Sequence, residues 1–353
     1  MRLLILTQKV DKNDAILGFF HDWLVAFAQR CDFLTVIALS VGEHTLPNNV
    51  RVYSLGKEKG AGKIERLIRF YELLFETLPR FDSVFVHMNP IYVVLGGLLW
   101  RLNGKQVSLW YTHRSVDMKL RIATLLSHLI FTASPEGCRV GGHKVHAVGH
   151  GIDVARFSGA LRAHFPGEGA SIRILHVGRI TPIKNCDTLL KATRALKTKL
   201  SRRFSVTFVG APSTQADEVY ATKLADVVKS ENLEDTVGFT GAVRNIDMPP
   251  LYATADLTVN LAPTGGLDKA VLESMAAGIP VLVSNEAYRS ILGIDADVLM
   301  FPERDTDTLA IRIQNLIDQG TLSIVGKRLR ERVAPFTVQA ITKTIVTMLD
   351  KTR

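Results

Sequence analysis

The chain has 353 residues, of which 47% are hydrophobic and 22% charged, and a formal net charge of +9. That length suits two domains rather than one core, and that balance argues against a disordered chain. No apolar run is long enough to cross a bilayer, and Cys31, Cys138 and Cys186 are too few and too scattered for a disulfide framework or a zinc knuckle.

The chain opens directly on a strand at residues 3–6, without a signal-peptide pattern, and a cytoplasmic setting is expected. Further strands are expected at 34–39, Val50–Ser54, 83–86, 107–111, Leu129–Thr132 and 145–148, with amphipathic helices at 19–29, 64–78 and 116–127. Continuous apolar strands alternating with helices imply a parallel sheet covered on both faces. The pattern lapses around 151–170, where a linker is expected, and then restarts. Strands are expected at 172–176, 206–209, 237–239, Leu257–Asn260, Val281–Val283 and 298–301, followed by helices at 305–320 and 338–349. The fold class is therefore α/β, with two doubly wound parallel-sheet domains. We place them at 1–155 and 156–335, with a terminal helix at 336–353 that could cross back to the first. Ligands in such folds bind where strands end and helices begin.

The second half carries the most informative loop. In ILHVGRITPIKNCDTLL a strand ends near Val177, turns at Gly178 and opens a helix near Asn185, with Arg179 and Lys184 on the turn. A helix start favours an anion, and a forked Arg with a point-charge Lys suits a diphosphate. Two solvated surface charges beside a tight turn are the plainer reading. In NLAPTGGLDKAVLESMAAGIPVLV, Gly265 and Gly266 permit close backbone approach, and Glu273 on the following helix could accept bonds from a ribose diol or stand as an ordinary exposed helix acid.

GRITPIK resembles the G-R-x-x-x-x-K element of glycosyltransferase family 4, whose members have the GT-B fold: two Rossmann-like domains facing a central cleft. DKAVLESMAAGIPVL is similar to the second half of that family's carboxylate motif, while FVGAP, FTG and LYATADL resemble its nucleotide-side elements. The resemblance covers essentially the whole chain and implies the following roles. Arg179 and Lys184, after Gly178, bind the donor diphosphate and stabilise the leaving group, and Glu273 holds the ribose hydroxyls. Gly210 and the backbone from Gly241 to Val243 frame the base, and Gly266 and Leu267 offer amides to the sugar and β-phosphate. The family's first motif Glu falls on Gly265 here, so that carboxylate is missing, and Asp268 is the candidate substitute.

In the first half, DKNDAILGFFHDW places Gly18 at the family's donor- or acceptor-facing loop position, without the spacing of a dinucleotide-binding turn. WYTHRS resembles a strand-end Thr-x-His element, which puts His113 beside donor sugar and acceptor. His143, His146 and His150 lack an adjacent acidic or Cys ligand, and no metal site is expected. VGHGIDVARF resembles the family's junction before the linker.

The basic surplus lies in residues 1–150, with 18 Lys and Arg against 12 Asp and Glu; residues 151–353 hold 25 against 22. Solubility or an anionic surface would account for it. AGKIERLIRFYELL alternates Lys63, Arg66 and Arg69 with Ile64, Leu67, Ile68 and Tyr71, which is either a packed surface helix or a peripheral contact with the inner face of the cytoplasmic membrane.

The resemblance thus implies a retaining, metal-independent hexosyltransferase acting in envelope polysaccharide or glycolipid synthesis. Its donor is expected to be a UDP- or GDP-sugar and its acceptor a glycan or lipid-linked sugar. No cofactor and no nucleic-acid partner are expected. A nucleotide-sugar epimerase and a non-catalytic nucleotide-sugar-binding subunit are the alternatives.

Overall fold

Short runs of β-branched and large apolar residues, bounded by Gly, Asn and Asp, favour strands buried on both faces. The computed structural model describes residues 1–158 and 170–351, which form two units. The linker expected around 151–170 falls in part outside the described residues.

The first unit comprises Met1–Gly151 together with Gly265–Leu267 and Phe336–Arg353. Its strands are β1 (Arg2–Val10), β2 (Phe33–Val41), β3 (Val50–Ser54), β4 (Ser83–His87), β5 (Gln106–Trp110), β6 (Leu129–Thr132) and β7 (Val145–Ala147). They form one parallel sheet in the order β3-β2-β1-β4-β5-β6-β7. Leu3, Leu4, Ile5 and Leu6 are all fully buried, so helices cover both faces of the central strand β1. Those helices are α1 (Phe19–Ala28), α2 (Lys63–Thr77), α3 (Ile91–Leu102) and α4 (Met118–Leu126), and the C-terminal helix Val338–Lys351 packs on α1. Only part of the apolar side of α2 reaches the core. Phe70, Leu73 and Leu74 are buried, while Ile64, Leu67 and Ile68 remain exposed.

The second unit comprises Ile152–Thr264 and Asp268–Pro335. Strands β8 (Ile172–Val177), β9 (Phe204–Val209), β10 (Val237–Gly241), β11 (Leu257–Asn260) and β12 (Val281–Val283) make a parallel sheet in the order β10-β9-β8-β11-β12. Around it lie α5 (Val154–Ser158), α6 (Cys186–Lys199), α7 (Gln215–Ser230), α8 (Met248–Thr254), α9 (Lys269–Ala276), α10 (Arg289–Leu292), α11 (Ala296–Leu299), α12 (Thr306–Asp318) and α13 (Leu322–Val333). The strand expected at 298–301 is not one. Residues up to Leu299 belong to the short helix α11, and Met300 makes a single parallel bridge to Val283. Leu299, Met300 and Phe301 are nonetheless buried, and a short buried apolar run reads alike in either conformation.

In each sheet the strand order reverses once, between β1 and β4 and between β8 and β11. The loops leaving the carboxyl ends of those strand pairs frame the place where doubly wound sheets take ligands.

Candidate functional site

In the second unit, that switch point joins the β8–α6 loop to the β11–α9 loop. Gly178 leaves β8 with its N–H donated to Val209 O (2.9 Å). Beside it, Gly210 has φ 144°, and a Cβ there would lie 1.9 Å from Gly178 O, so only glycine lets the β9 end pass this close. Arg179 is exposed and makes no hydrogen bond or ion pair among the described residues. Lys184 ends the 3-10 turn Pro182–Lys184. Asn185 follows in the left-handed region (φ 48°), held by Nδ2 donating to Leu261 O (3.1 Å) and by Oδ1 accepting from Arg304 Nε (3.0 Å). Asn tolerates that backbone because its short amide bonds locally, which fixes the lysine just before α6.

The Lys184 ammonium is ion-paired with the Asp268 carboxylate across the switch point. The same oxygen, Oδ2, accepts from Asn260 Nδ2 (3.1 Å), while Oδ1 accepts from Ala270 N (3.4 Å) as the N-cap of α9. Burial alone would raise the Asp268 pKa. The Lys184 charge, its hydrogen bond and those of Asn260 and Ala270 outweigh that, and the net shift is well below the usual carboxylate range. Tyr288 OH donates to the Asp268 carbonyl (2.7 Å) and anchors the loop. Beneath the turn, His176 is fully buried with Nδ1 at 2.9 Å from Val259 O. Desolvation lowers its pKa to about 4, and the ring there is neutral at physiological pH.

Glu273 lies one turn along α9 and is 2% exposed, so it is not an ordinary solvated helix acid. A buried carboxylate needs partners. Oε1 accepts from Asn245 Nδ2 and Lys269 Nζ, each at 3.3 Å. The Tyr252 hydroxyl lies 3.2 Å from Oε2 and 3.1 Å from Ala270 O, and its single proton serves one of them at a time. Asn245 Oδ1 is in turn held by Arg156 (3.2 Å). Burial, then the Glu273 charge, raises the Tyr252 pKa, so the phenol stays protonated as a donor.

Gly241 ends β10 with its carbonyl accepting from Gly210 N (2.9 Å), and Val243 is half-buried two residues on. The second unit therefore places Gly178, Lys184, Gly210 and Gly241 at or just past its strand ends, and Asp268 and Glu273 at the start of α9. Asn185, Asn245, Tyr252, Asn260 and Tyr288 complete the arrangement and were not singled out from the sequence. An Asn just before a helix and polar residues at the ends of apolar strands were the available signals.

Gly18, His113, Gly265, Gly266 and Leu267 belong to the first unit. Gly18 starts α1, and a Cβ there would lie 2.4 Å from Asp14 O, so steric closeness alone demands glycine. His113 is exposed, with Nδ1 accepting from Ser115 N (3.2 Å). Gly265 O accepts from Ser134 Oγ (3.1 Å), and Gly266 lies against Thr112 O, where a Cβ would sit at 2.9 Å.

Residues 171–319 match the family model for Glycosyl transferases group 1. That stretch is similar to group 1 glycosyltransferases. The chain resembles family 4 glycosyltransferases more widely. WcaL of Salmonella typhimurium, a glycosyltransferase assigned to colanic acid biosynthesis, is 26% identical over 210 residues, covering 56% of this chain and 49% of that one. The D-inositol 3-phosphate glycosyltransferase of Kineococcus radiotolerans is 31% identical over 149 residues, covering 40% and 34%. The chain thus spans about half or less of the length of these curated relatives. Among solved structures, Anabaena HepE in complex with UDP and glucose aligns over 99% of both chains with a TM-score of 0.76 at 16% identity. The sucrose-phosphate synthase of Thermosynechococcus elongatus aligns over 100% of this chain and 99% of its own, with a TM-score of 0.79 at 17% identity. The fold is GT-B, and the stretch matched by the family model lies in its second Rossmann-like unit.

Proposed function

We propose that the protein is a retaining glycosyltransferase that moves a hexose from a UDP- or GDP-sugar to a glycan or lipid-linked acceptor, in envelope polysaccharide or glycolipid synthesis. The observation that carries this reading is the placement of two cations, Arg179 and Lys184, on the β8–α6 loop at the switch point, with the buried carboxylate Glu273 on α9. Arg179, without a partner among the described residues, and Lys184 supply positive charge for a diphosphate, and donor binding then needs no metal. Glu273, its geometry fixed by Asn245 and Tyr252, accepts from the ribose hydroxyls. As the diphosphate departs, the two cations neutralise the charge that grows on the leaving oxygen. Resemblance to family 4 supports retention and the assignment of His113 to the acceptor side.

A non-catalytic nucleotide-sugar-binding subunit is the second reading. It is favoured by Gly265 in place of a carboxylate and by the engagement of Asp268 with Lys184 and Asn260. A thermal-shift panel of nucleotides and nucleotide sugars tests donor binding, since ligand at about 100 times Kd adds roughly 2.7 kcal/mol. Product formation from the best donor with lipid-linked and glycan acceptors separates transfer from binding alone. No shift with any nucleotide sugar would defeat both readings.

A further inference from the structure

The hydrogen-bonded ladder between β8 and β11 ends at Leu175 and Thr258, just short of the switch point. The next tie between the two strands is made by a side chain: His176 is fully buried, with Nδ1 2.9 Å from Val259 O. A carbonyl only accepts, so Nδ1 carries the proton and Nε2 of the neutral ring is left as an acceptor. Cys186, the first residue of α6, is also fully buried and brings its Sγ to 3.7 Å from that Nε2. Burial pushes the thiol up to about 12, so it keeps its proton and donates a hydrogen bond to the ring. Phe208 of β9 packs against the imidazole at 5.5 Å between ring centroids. One side chain thus joins β8, β11 and the start of α6. An aliphatic residue would fill the same space without the cost of burying two polar nitrogens, so the two directed bonds are what the histidine adds.

Both bonds bear on Lys184, which lies two residues before Cys186. A Cβ built on Gly178 would lie 3.6 Å from His176 Nε2 and 3.9 Å from both Cδ and Cε of Lys184, so the imidazole edge and the lysine stem converge on one point of the turn. The Lys184 ammonium is drawn across the switch point by Asp268, and Asn185 anchors the backbone just after it. The His176–Cys186 pair is what supports the stem from beneath. Burial, partly offset by the bond to Val259 O, keeps the ring neutral, so it supports the lysine without repelling it. A charged group misplaced by about 1 Å can lower a rate by about a hundredfold. We propose that His176 is a positioning residue: through Cys186 and the Val259 carbonyl it holds the Lys184 ammonium where the leaving diphosphate gathers charge. Its effect on turnover rests on the glycosyltransferase reading, in which Lys184 binds that diphosphate.

The test uses the full chain and two variants that cut the link from either side. His176→Asn keeps an amide N–H for the Val259 carbonyl and removes the acceptor that Cys186 serves, whereas Cys186→Ala keeps the ring and removes the donor. Reductive methylation read by mass spectrometry reports how freely Lys184 reacts. Lys269 is the control, because it lies in the same unit at a comparable side-chain exposure, 23% against 17%, and pairs with Glu273 instead. Each variant is expected to speed methylation of Lys184 about fivefold, the worth of one hydrogen bond, and to leave Lys269 unchanged. In the transfer assay, kcat at saturating donor should fall about tenfold while donor Kd stays within about threefold, because the lysine keeps its charge and loses its place. The double variant should be no worse than His176→Asn, since both changes cut one link. Faster labelling of Lys184 alone, with no transfer by wild type, would uphold His176 as the support of Lys184 and count against the glycosyltransferase reading instead. Unchanged labelling of Lys184, equal gains at Lys184 and Lys269, or an unchanged kcat in a transferring enzyme would each overturn the proposal.

Discussion

Neutralising Asp268 tests whether the switch-point ion pair is a structural unit of the second domain. Lys184 and Asp268 have side chains 17% and 19% exposed, between the surface and fully buried limits. Surface pairs contribute about 0–1 kcal/mol, whereas orphaning one charge of a buried pair costs about 3–5 kcal/mol. Asp268→Asn also turns an N–H donor toward two existing donors, Lys184 and Asn260, although the amide oxygen can keep the cap on Ala270. We expect a loss of about 2 kcal/mol, which is about 4–8 °C in the Tm of a unit this size. Lys184→Met should cost a similar amount by orphaning Asp268. The double variant should recover about 1.5 kcal/mol or more relative to the sum, because each single change strands the other's charge. Far-UV circular dichroism in urea is the suitable probe, since Trp23, Trp100 and Trp110 all lie in the first unit and their fluorescence would report on it instead. The pH dependence adds a signed check. The folded pKa of Asp268 is depressed below the unfolded value of about 3.9, so its contribution is present above that value and is lost as pH falls toward the folded one. The gap between wild type and Asp268→Asn should be flat from about pH 5 to 8 and shrink below about pH 4. Additive single effects, with coupling under about 0.5 kcal/mol, would refute the reasoning.

Arg179→Ala should lower turnover on the order of a hundredfold while leaving the urea midpoint unchanged, because Arg179 has no partner among the described residues and acts only on bound diphosphate. Glu273→Gln should cost about 2 kcal/mol of stability and raise the donor KM, since Lys269 loses its counter-charge; Tyr252→Phe should cost about 1 kcal/mol and move KM less. Histidines set a second pH window. Burial, with His150 adding to it, lowers the His87 pKa to about 3, and burial lowers that of His176 to about 4. A depressed histidine is destabilising once the unfolded chain takes up a proton, so each should remove about 1.4 kcal/mol per pH unit below about 6.5, until its folded pKa is reached. His87→Phe should flatten that slope between about pH 6 and 4 in urea melts.

The architecture was legible because most of the parallel strands among the described residues write apolar runs that need no long-range information to be read. Strands β3, β7 and β10 are the weak cases: no residue of β3 is fully buried, Val145 and His146 of β7 are half-buried with Ala147 exposed, and Gly238, Phe239 and Thr240 of β10 are exposed, so their strand conformation depends on pairing with β2, β6 and β9. The residues 298–301 show the converse error, a strand-like run folded as a helical turn. The positions of Arg179 and Lys184 on the β8–α6 loop and of Asp268 and Glu273 at the start of α9 were legible in the sequence. The amides that hold the two carboxylates were not, because Asn260 and Asn245 are 8 and 28 residues from Asp268 and Glu273 and only the fold brings them near.

Asp268 shows most clearly why sequence position underdetermines role. Three residues after Gly265, it sits where a carboxylate could have replaced the missing glutamate and met the donor sugar. A side chain that caps a helix, however, must point back along the first turn, and this one caps α9. Its second oxygen is thereby aimed across the switch point, where Lys184 of the β8–α6 loop and Asn260 at the end of β11 claim it. Engaged in this way, the carboxylate holds Lys184 in place and opposes the approach of an anion. A donor diphosphate entering here must share the lysine with Asp268 rather than find it free, and Arg179, exposed and without a partner among the described residues, becomes the cation whose full charge is available. The two cations of one motif are therefore not equivalent: removal of Lys184 should disturb stability and turnover together, whereas removal of Arg179 should disturb turnover alone.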